Sequence, residues 1–365
     1  MFNIRFNPHY KVVNFTTEIG KYIVGGVATF IDEFYKYHTE DMGFVHIYED
    51  NLVNQISLEM YPGDRDILAL SFNEINLLSN LSFDIAVVHF FGLSFVANEQ
   101  IIKDKKLIYV LHSVPTTEPY SINDPFGGNL DVKGSFEALC SRADLLVCVS
   151  EAEKEKLGIL YPQYKDKAKV IYNGLDYKDS LKTEPVIRNE RKIFGYMGRL
   201  DYRKGLLECI KNFKYIDGEL RIACGNDDPF YLNTILNYIE AADLQDKVKF
   251  YGWCGGERKI NFLNSLDALI IPSLYEPFGY VALEAMDEKI PIIVSSKGGL
   301  GEIIGEYKYS FDAYEPNALK NCILEFQQDS CNIIKQEIDK LFARNNLFTS
   351  SIMIDKYKDL FCQLI

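Results

Sequence analysis

The chain has 365 residues, 47% hydrophobic and 25% charged, with a formal net charge of −13 and eight scattered cysteines. This is the composition of a soluble globular protein, too long for one ordinary core, so two domains are expected, and the acidic balance argues against nucleic acid as the main partner. No apolar run is long enough to cross a bilayer, Met1-Phe-Asn-Ile-Arg5 lacks a secretory layout, and no Cys/His spacing suits zinc, so a cytoplasmic chain with reduced, partly buried thiols is expected.

Short apolar runs alternate with amphipathic ones from end to end, the pattern of an α/β chain with parallel sheets. The first strand is expected at Phe2–Phe6, and the stretch Asn7–Ile23 reads as a long loop able to shape an acceptor site. Val24-Gly-Gly-Val-Ala-Thr-Phe30 then opens an amphipathic helix. Taken alone, Gly-Gly is a flexible turn; before a helix, Gly25 and Gly26 also let backbone approach an anion held at the helix N-terminus. Further strands are expected at Phe44–Glu49, Phe83–Phe90, Leu107–His112 and Leu145–Ser150, and Lys169–Asp176 gives one more with a turn. His112 closes its strand and His89 closes another; a histidine in such a place is as often packed as functional. Ser150-Glu151 and Asn173-Gly174 with Asp176 read as framework turns, and the polar stretch Tyr177–Lys192 reads as the linker.

The alternation restarts with strands at Lys192–Met197, Leu220–Cys224, Val248–Tyr251, Ala268–Ile271 and Pro291–Ser295. Gly195-Tyr-Met-Gly-Arg-Leu-Asp-Tyr-Arg-Lys-Gly205 follows the first of these and sets Arg199 and Lys204 five positions apart, two cations able to neutralise a diphosphate. The run Ala268–Ile271 leads into Pro272-Ser-Leu-Tyr-Glu-Pro-Phe-Gly-Tyr-Val-Ala-Leu-Glu-Ala-Met286. Here Glu276 and Glu284 flank a loop-to-helix junction broken at Pro277 and Gly279. The free amides of such a junction suit phosphate, and the carboxylates suit hydroxyl groups on either side of it. Lys320–Phe326 and Phe348–Leu364 read as helices.

These strings resemble the motifs of family-4 retaining glycosyltransferases of the GT-B fold: the E-x7-E segment at 276–284, G-R-x4-K-G at 198–205, and the N-terminal glycine loop at 25–26. The resemblance implies two Rossmann-like domains facing a central cleft, residues 1–182 with a crossover helix 348–365 on the acceptor side and 183–347 on the nucleotide-sugar side. It implies Arg199 and Lys204 on the donor phosphates, with Arg203 a less suited neighbour. Glu276 is expected on the sugar hydroxyls, Glu284 on the ribose, backbone amides at Phe278 and Gly279 on phosphate or sugar, and His112 on the transferred sugar, with His89 second. Gly225-Asn-Asp-Asp228 falls on a family turn, Tyr251-Gly-Trp253 on the border of the base, and Lys297-Gly-Gly-Leu-Gly-Glu302 on a small-residue loop beside the phosphates; Lys289 stands where the family has glycine. Asp64-Arg-Asp66 has the form of the D-x-D motif of metal-dependent glycosyltransferases but reads as a helix start, so no metal is expected. The expected co-substrate is a nucleotide-diphosphate sugar, UDP favoured, and the expected acceptor is a glycan, lipid-linked or other glycoconjugate, as in bacterial surface polysaccharide synthesis. Residues 1–184 carry 17 Lys/Arg against 26 Asp/Glu, so membrane contact is expected to be peripheral at most. A sugar-phosphate-forming or phosphorolytic enzyme of the same fold, and a non-catalytic glycan- or nucleotide-binding relative, are the alternatives.

Overall fold

Strands buried on both faces read as unbroken apolar runs, and most of the runs above become such strands in the structure, a computed structural model. It describes residues 2–4, 10–19, 25–48, 66–102, 104–115, 131–176, 187, 190, 192–225 and 228–364. The chain divides into two units, Met1–Asp176 with Thr349–Ile365, and Tyr177–Phe348.

Among the described residues the first unit holds eight strands: β1 (Phe2–Ile4), β2 (Val12–Thr16), β3 (Met42–Tyr48), β4 (Ile67–Ser71), β5 (Ile85–Val88), β6 (Lys106–Leu111), β7 (Leu145–Cys148) and β8 (Ala168–Val170). Their order is β1-β4-β3-β2-β5-β6-β7-β8, and all neighbours are parallel except β1, which pairs antiparallel with β4. The helices are α1 (Gly26–Lys36), α2 (Glu99–Ile102), α3 (Val132–Arg142) and α4 (Glu151–Leu160).

Two expectations fail here. Asn7–Ile23 is not a single loop, because Val12–Thr16 forms β2 in the middle of the sheet, buried at every position. Asn14 and Thr16 broke the apolar run, yet both are fully buried. Asp66 does not start a helix; it leads into β4 with φ 62°, and its carboxylate accepts from Tyr10 Oη at 3.0 Å and meets His38 Nε2 at 3.1 Å. The first strand is an antiparallel edge, Phe2–Ile4. Asp64, Arg65, most of the expected linker, and residues 5–9 and 20–24 lie outside the described residues.

In the second unit the described strands are β9 (Ile193–Met197), β10 (Glu219–Ala223), β11 (Val248–Phe250), β12 (Ala268–Ile271), β13 (Ile292–Ser295) and β14 (Ser310–Phe311), all parallel in the order β11-β10-β9-β12-β13-β14. Around them lie α5 (Leu206–Asn212), α6 (Pro229–Ala241), α7 (Gly256–Asn264), α8 (Tyr280–Asp287), α9 (Gly299–Ile304), α10 (Ala318–Gln328) and α11 (Cys331–Asn345). The turn between α8 and β13 puts Lys289 at φ 52°, a conformation glycine adopts without strain, and its ammonium lies 4.5 Å from the Phe342 ring centre.

The final helix α12 (Ser350–Leu364) returns to the first unit. Tyr357 packs edge-on against Phe34 at 5.0 Å and Phe30 at 5.9 Å, and Ser350 Oγ donates to Glu33 Oε2 at 2.7 Å. All eight cysteines are free thiols, six of them buried. Among the described residues no helix is long and apolar enough to cross a membrane.

Strand order fixes where ligands fit. In each sheet the chain winds outward in one direction and then restarts on the other side, between β2 and β5 in the first unit and between β9 and β12 in the second. Loops leaving adjacent strands in opposite directions open a crevice at their C-terminal ends. The motif residues follow those strands.

Candidate active site

After β9 the chain makes a tight turn, Tyr202–Lys204, capped by Asp201, whose Oδ1 accepts the Arg203 N–H at 2.9 Å. Gly205 ends it at φ 71°, where a Cβ would stand 2.1 Å from the Pro272 carbonyl oxygen. Only glycine lets this turn press so closely on the loop after β12, and the Leu274 N–H donates to the Arg203 carbonyl at 2.7 Å. The contact brings Lys204 Nζ to Glu276 Oε2 at 2.5 Å, with Ser273 Oγ donating to the same oxygen at 3.3 Å.

The three basic residues between β9 and α5 thus differ. Arg203 is held by Asp201, at 2.6 Å from Nη2 to Oδ2. Burial works to raise the Asp201 carboxyl, but the hydrogen bonds and charge of Arg203 outweigh it and hold the carboxyl below its usual range. Lys204 is paired with Glu276 yet keeps further N–H groups to offer, since an ammonium has three. Arg199 is exposed and has no side-chain partner among the described residues. A dianion arriving here would meet Arg199 as the uncommitted charge.

The loop after β12 is pinned from its other side. The Gly299 N–H donates to the Glu276 carbonyl at 2.8 Å, and Glu276 forms an isolated parallel bridge with Gly298. Gly298 has φ 69°, and a Cβ there would lie 2.3 Å from the Glu276 oxygen. Gly279 begins α8 at φ 122°, where a Cβ would meet Leu300 at 2.6 Å, and no side chain caps it among the described residues. Phe278 is buried between Tyr280 and Phe348, at 5.3 and 6.1 Å between ring centres. One helical turn further on, Glu284 is held by Lys259 of α7 at 2.7 Å. Gly225 and Trp253 share an open apolar recess of about 460 Å³ with Cys224, Leu232, Leu236, Phe250 and Gly252. Asp228 caps α6, and Asn226 and Asp227 lie outside the described residues.

In the first unit Gly25 is the extended residue before α1, and Gly26 is its first helical residue. The carboxylate found at this helix N-terminus is the chain's own: Glu18 Oε2 accepts the Ala28 N–H at 3.2 Å. His112 follows β6, and its Nε2 lies 3.2 Å from His89 Nδ1 beside β5; His89 Nε2 in turn lies 3.1 Å from Asn14 Oδ1 on β2. The Phe30 ring of α1 covers both imidazoles at 4.9 and 5.3 Å. Burial pushes both below the ordinary histidine range, His112 to about 3, and the neighbouring His112 adds to the lowering at His89. Ser150 caps α4, and Asp176 is tied to α1 through Tyr37 and Glu33, so both serve the framework.

Sequence reasoning left out Lys259, Ser273, Glu18 and Asn14. Only Ser273 had a signal, lying inside the Pro272–Met286 string; the others meet their partners through packing that has no sequence period.

Residues 24–179 match the family described as Glycosyltransferase Family 4, and residues 178–341 match Glycosyl transferases group 1. The chain is a family-4 glycosyltransferase of the GT-B fold. Among curated relatives, an uncharacterized glycosyltransferase of Methanocaldococcus jannaschii is 34% identical over 174 residues, 44% of each chain. The O-antigen biosynthesis glycosyltransferase WclY of Escherichia coli is 27% identical over 207 residues, 54% of this chain and 56% of the relative. The chain spans about half the length of the curated relatives it matches. Anabaena HepE, solved in complex with UDP and glucose, superposes with TM-score 0.75 at 17% identity over 97% of this chain and all of that one. Sucrose-phosphate synthase of Thermosynechococcus elongatus superposes with TM-score 0.74 at 17% identity, covering 98% and 99%. At these identities the likeness establishes the fold.

Proposed function

We propose that this glycosyltransferase moves a sugar from a nucleotide-diphosphate donor to a glycan or glycoconjugate acceptor with retention at the anomeric carbon. The observation that carries the reading is the Lys204–Glu276 pair at the β9/β12 switch point, with exposed Arg199 in the same β9–α5 connection. Cations stand where a diphosphate would leave, and a carboxylate stands beside them for sugar hydroxyls.

In this reading Arg199 and Lys204 stabilise the departing nucleoside diphosphate, and the uncapped start of α8 at Gly279 adds backbone amides. Glu276 orients the sugar, Glu284 takes the ribose hydroxyls, and His112 contacts the transferred sugar. The bond from the anomeric carbon to the phosphate oxygen breaks while the acceptor oxygen attacks on the same face, and the leaving phosphate takes the acceptor's proton. The enzyme contributes position and charge rather than a nucleophile. No metal enters, since side chains and helix amides supply the positive charge. A uridine donor is favoured by the fold neighbours solved with UDP, and a surface-glycan acceptor by the O-antigen relative. We place the reaction in the cytoplasm, with at most peripheral membrane contact.

The test is thermal unfolding with UDP, GDP and ADP. A ligand at 100 times its Kd adds about 2.7 kcal/mol to the folded state. The matching sugar nucleotide should then be turned over in excess chelator, with the product anomer read by NMR. Stabilisation by none of the three, or an inverted product, refutes the reading.

A further inference from the structure

We propose that Asn14 and His89 are positioning residues that hold His112 neutral with its proton on Nε2, leaving Nδ1 as a hydrogen-bond acceptor. The glycosyltransferase reading above is needed only for what that acceptor serves, a hydroxyl of the transferred sugar.

Three adjacent strands deliver this row. Asn14 lies on β2, His89 directly follows β5, and His112 directly follows β6, and these strands neighbour one another in that order. Asn14 is fully buried, His89 is 2% exposed, and only His112 keeps some contact with solvent. A neutral imidazole has one N–H and one lone pair, so a chain of them carries a direction. Asn14 Oδ1 only accepts, so His89 bears its proton on Nε2. His89 Nδ1 is then a lone pair that must accept, which places the His112 proton on Nε2. Nδ1 of His112 has no partner among the described residues and is left with its lone pair. With Phe30 packed over both rings, and a second imidazole in contact with each, neither ring gains a charge readily.

The amide is informative for another reason. Asn14 Nδ2 is buried without a partner among the described residues. A central strand position would accept an apolar residue without that cost. Retaining Asn there fits a side chain whose oxygen sets the polarity of the row. Were the amide reversed, every tautomer would invert and His112 Nδ1 would become a donor, selecting a different hydroxyl geometry.

The measurement is long-range ¹H–¹⁵N NMR of the imidazole nitrogens in the intact chain near neutral pH. Five histidines make assignment by single replacement practical. Both His89 and His112 are expected as Nε2–H tautomers, and Asn14→Asp, which keeps an acceptor and has no N–H, should preserve this. Asn14→Leu should leave His112 a mixture of tautomers. It should also lower kcat for UDP release from UDP-glucose by about five- to tenfold, the worth of one neutral hydrogen bond, with KM within about twofold. A proton on Nδ1 of wild-type His112, an imidazolium, or an Asn14→Leu spectrum like wild type overturns the proposal. If Asn14→Leu does not fold, the wild-type and Asn14→Asp spectra still decide it. Expected tautomers with no turnover of UDP-glucose would refute the uridine-sugar reading and leave the relay standing.

Discussion

Replacing Gly298 by alanine separates the cost of backbone strain from the cost of losing the Glu276 loop. Gly298 sits at φ 69° and ψ −146°, a region close to glycine-only, and placing alanine there costs about 1–3 kcal/mol. The new Cβ would lie 2.3 Å from the Glu276 carbonyl oxygen, so the bridge must open. That forfeits the Gly299-to-Glu276 hydrogen bond, about 0.5–1.5 kcal/mol. The total is about 2–4 kcal/mol. For a unit of this size each kcal/mol shifts Tm by about 2–4 °C, so a fall of about 5–15 °C is expected. Gly256→Ala is the control: its φ is 54°, but nothing lies within 4 Å of the added Cβ, so only the left-handed term of about 1–2 kcal/mol applies. Unfolding is followed by circular dichroism, and turnover by nucleotide release from the sugar donor at a temperature where both variants are folded. Gly298→Ala should lose turnover because Glu276 has moved, whereas Gly256→Ala should keep it. Equal stability and equal turnover in the two variants would show that the Gly298 contact does not hold Glu276 in place.

Arg199→Ala and Lys204→Ala should each slow turnover on the order of 100–1000-fold without unfolding the chain, and a near-normal rate in either returns it to the status of a solvated turn residue. Glu284→Ala should mainly weaken binding of the bare nucleotide in calorimetry, while Glu276→Ala should depress turnover of the intact donor; the opposite pattern reverses the two roles. Glu18→Gln should tighten nucleotide diphosphate binding several-fold if phosphate approaches the α1 N-terminus, because the competing carboxylate charge is gone. Unchanged affinity in calorimetry would mean the two anions do not share that site.

The second unit was the more legible in sequence. Ala268–Ile271 is a strand residue for residue, and the turn glycines Gly205, Gly279 and Gly298 stand where backbone conformation requires them. β2 was illegible because Asn14 at its centre and Thr16 at its end are buried polar residues that interrupt the apolar run. Local pattern fails there because the middle of the strand contributes Asn14 to a hydrogen-bonded row rather than to apolar packing. The site was legible as motifs but not as contacts. Lys204 and Glu276 meet across 72 positions, and Lys259 reaches Glu284 from a neighbouring helix. Neither pairing leaves a period in the sequence. The left-handed Lys289 was visible only as a departure from the family's glycine.

The return of α12 to the first unit has a consequence for biosynthesis. On the ribosome, β1 to β8 and α1 are made first, but the surface that receives Tyr357 stays open until the whole of the second unit has been synthesised. During that interval Phe30 and Phe34 lack the Tyr357 ring, and the Glu33 carboxylate, buried in the finished fold, lacks the Ser350 hydroxyl. The second unit is continuous in sequence, whereas the last packing step of the first unit waits for α12. Chains released before that helix is made would expose an apolar face of the kind that seeds aggregation.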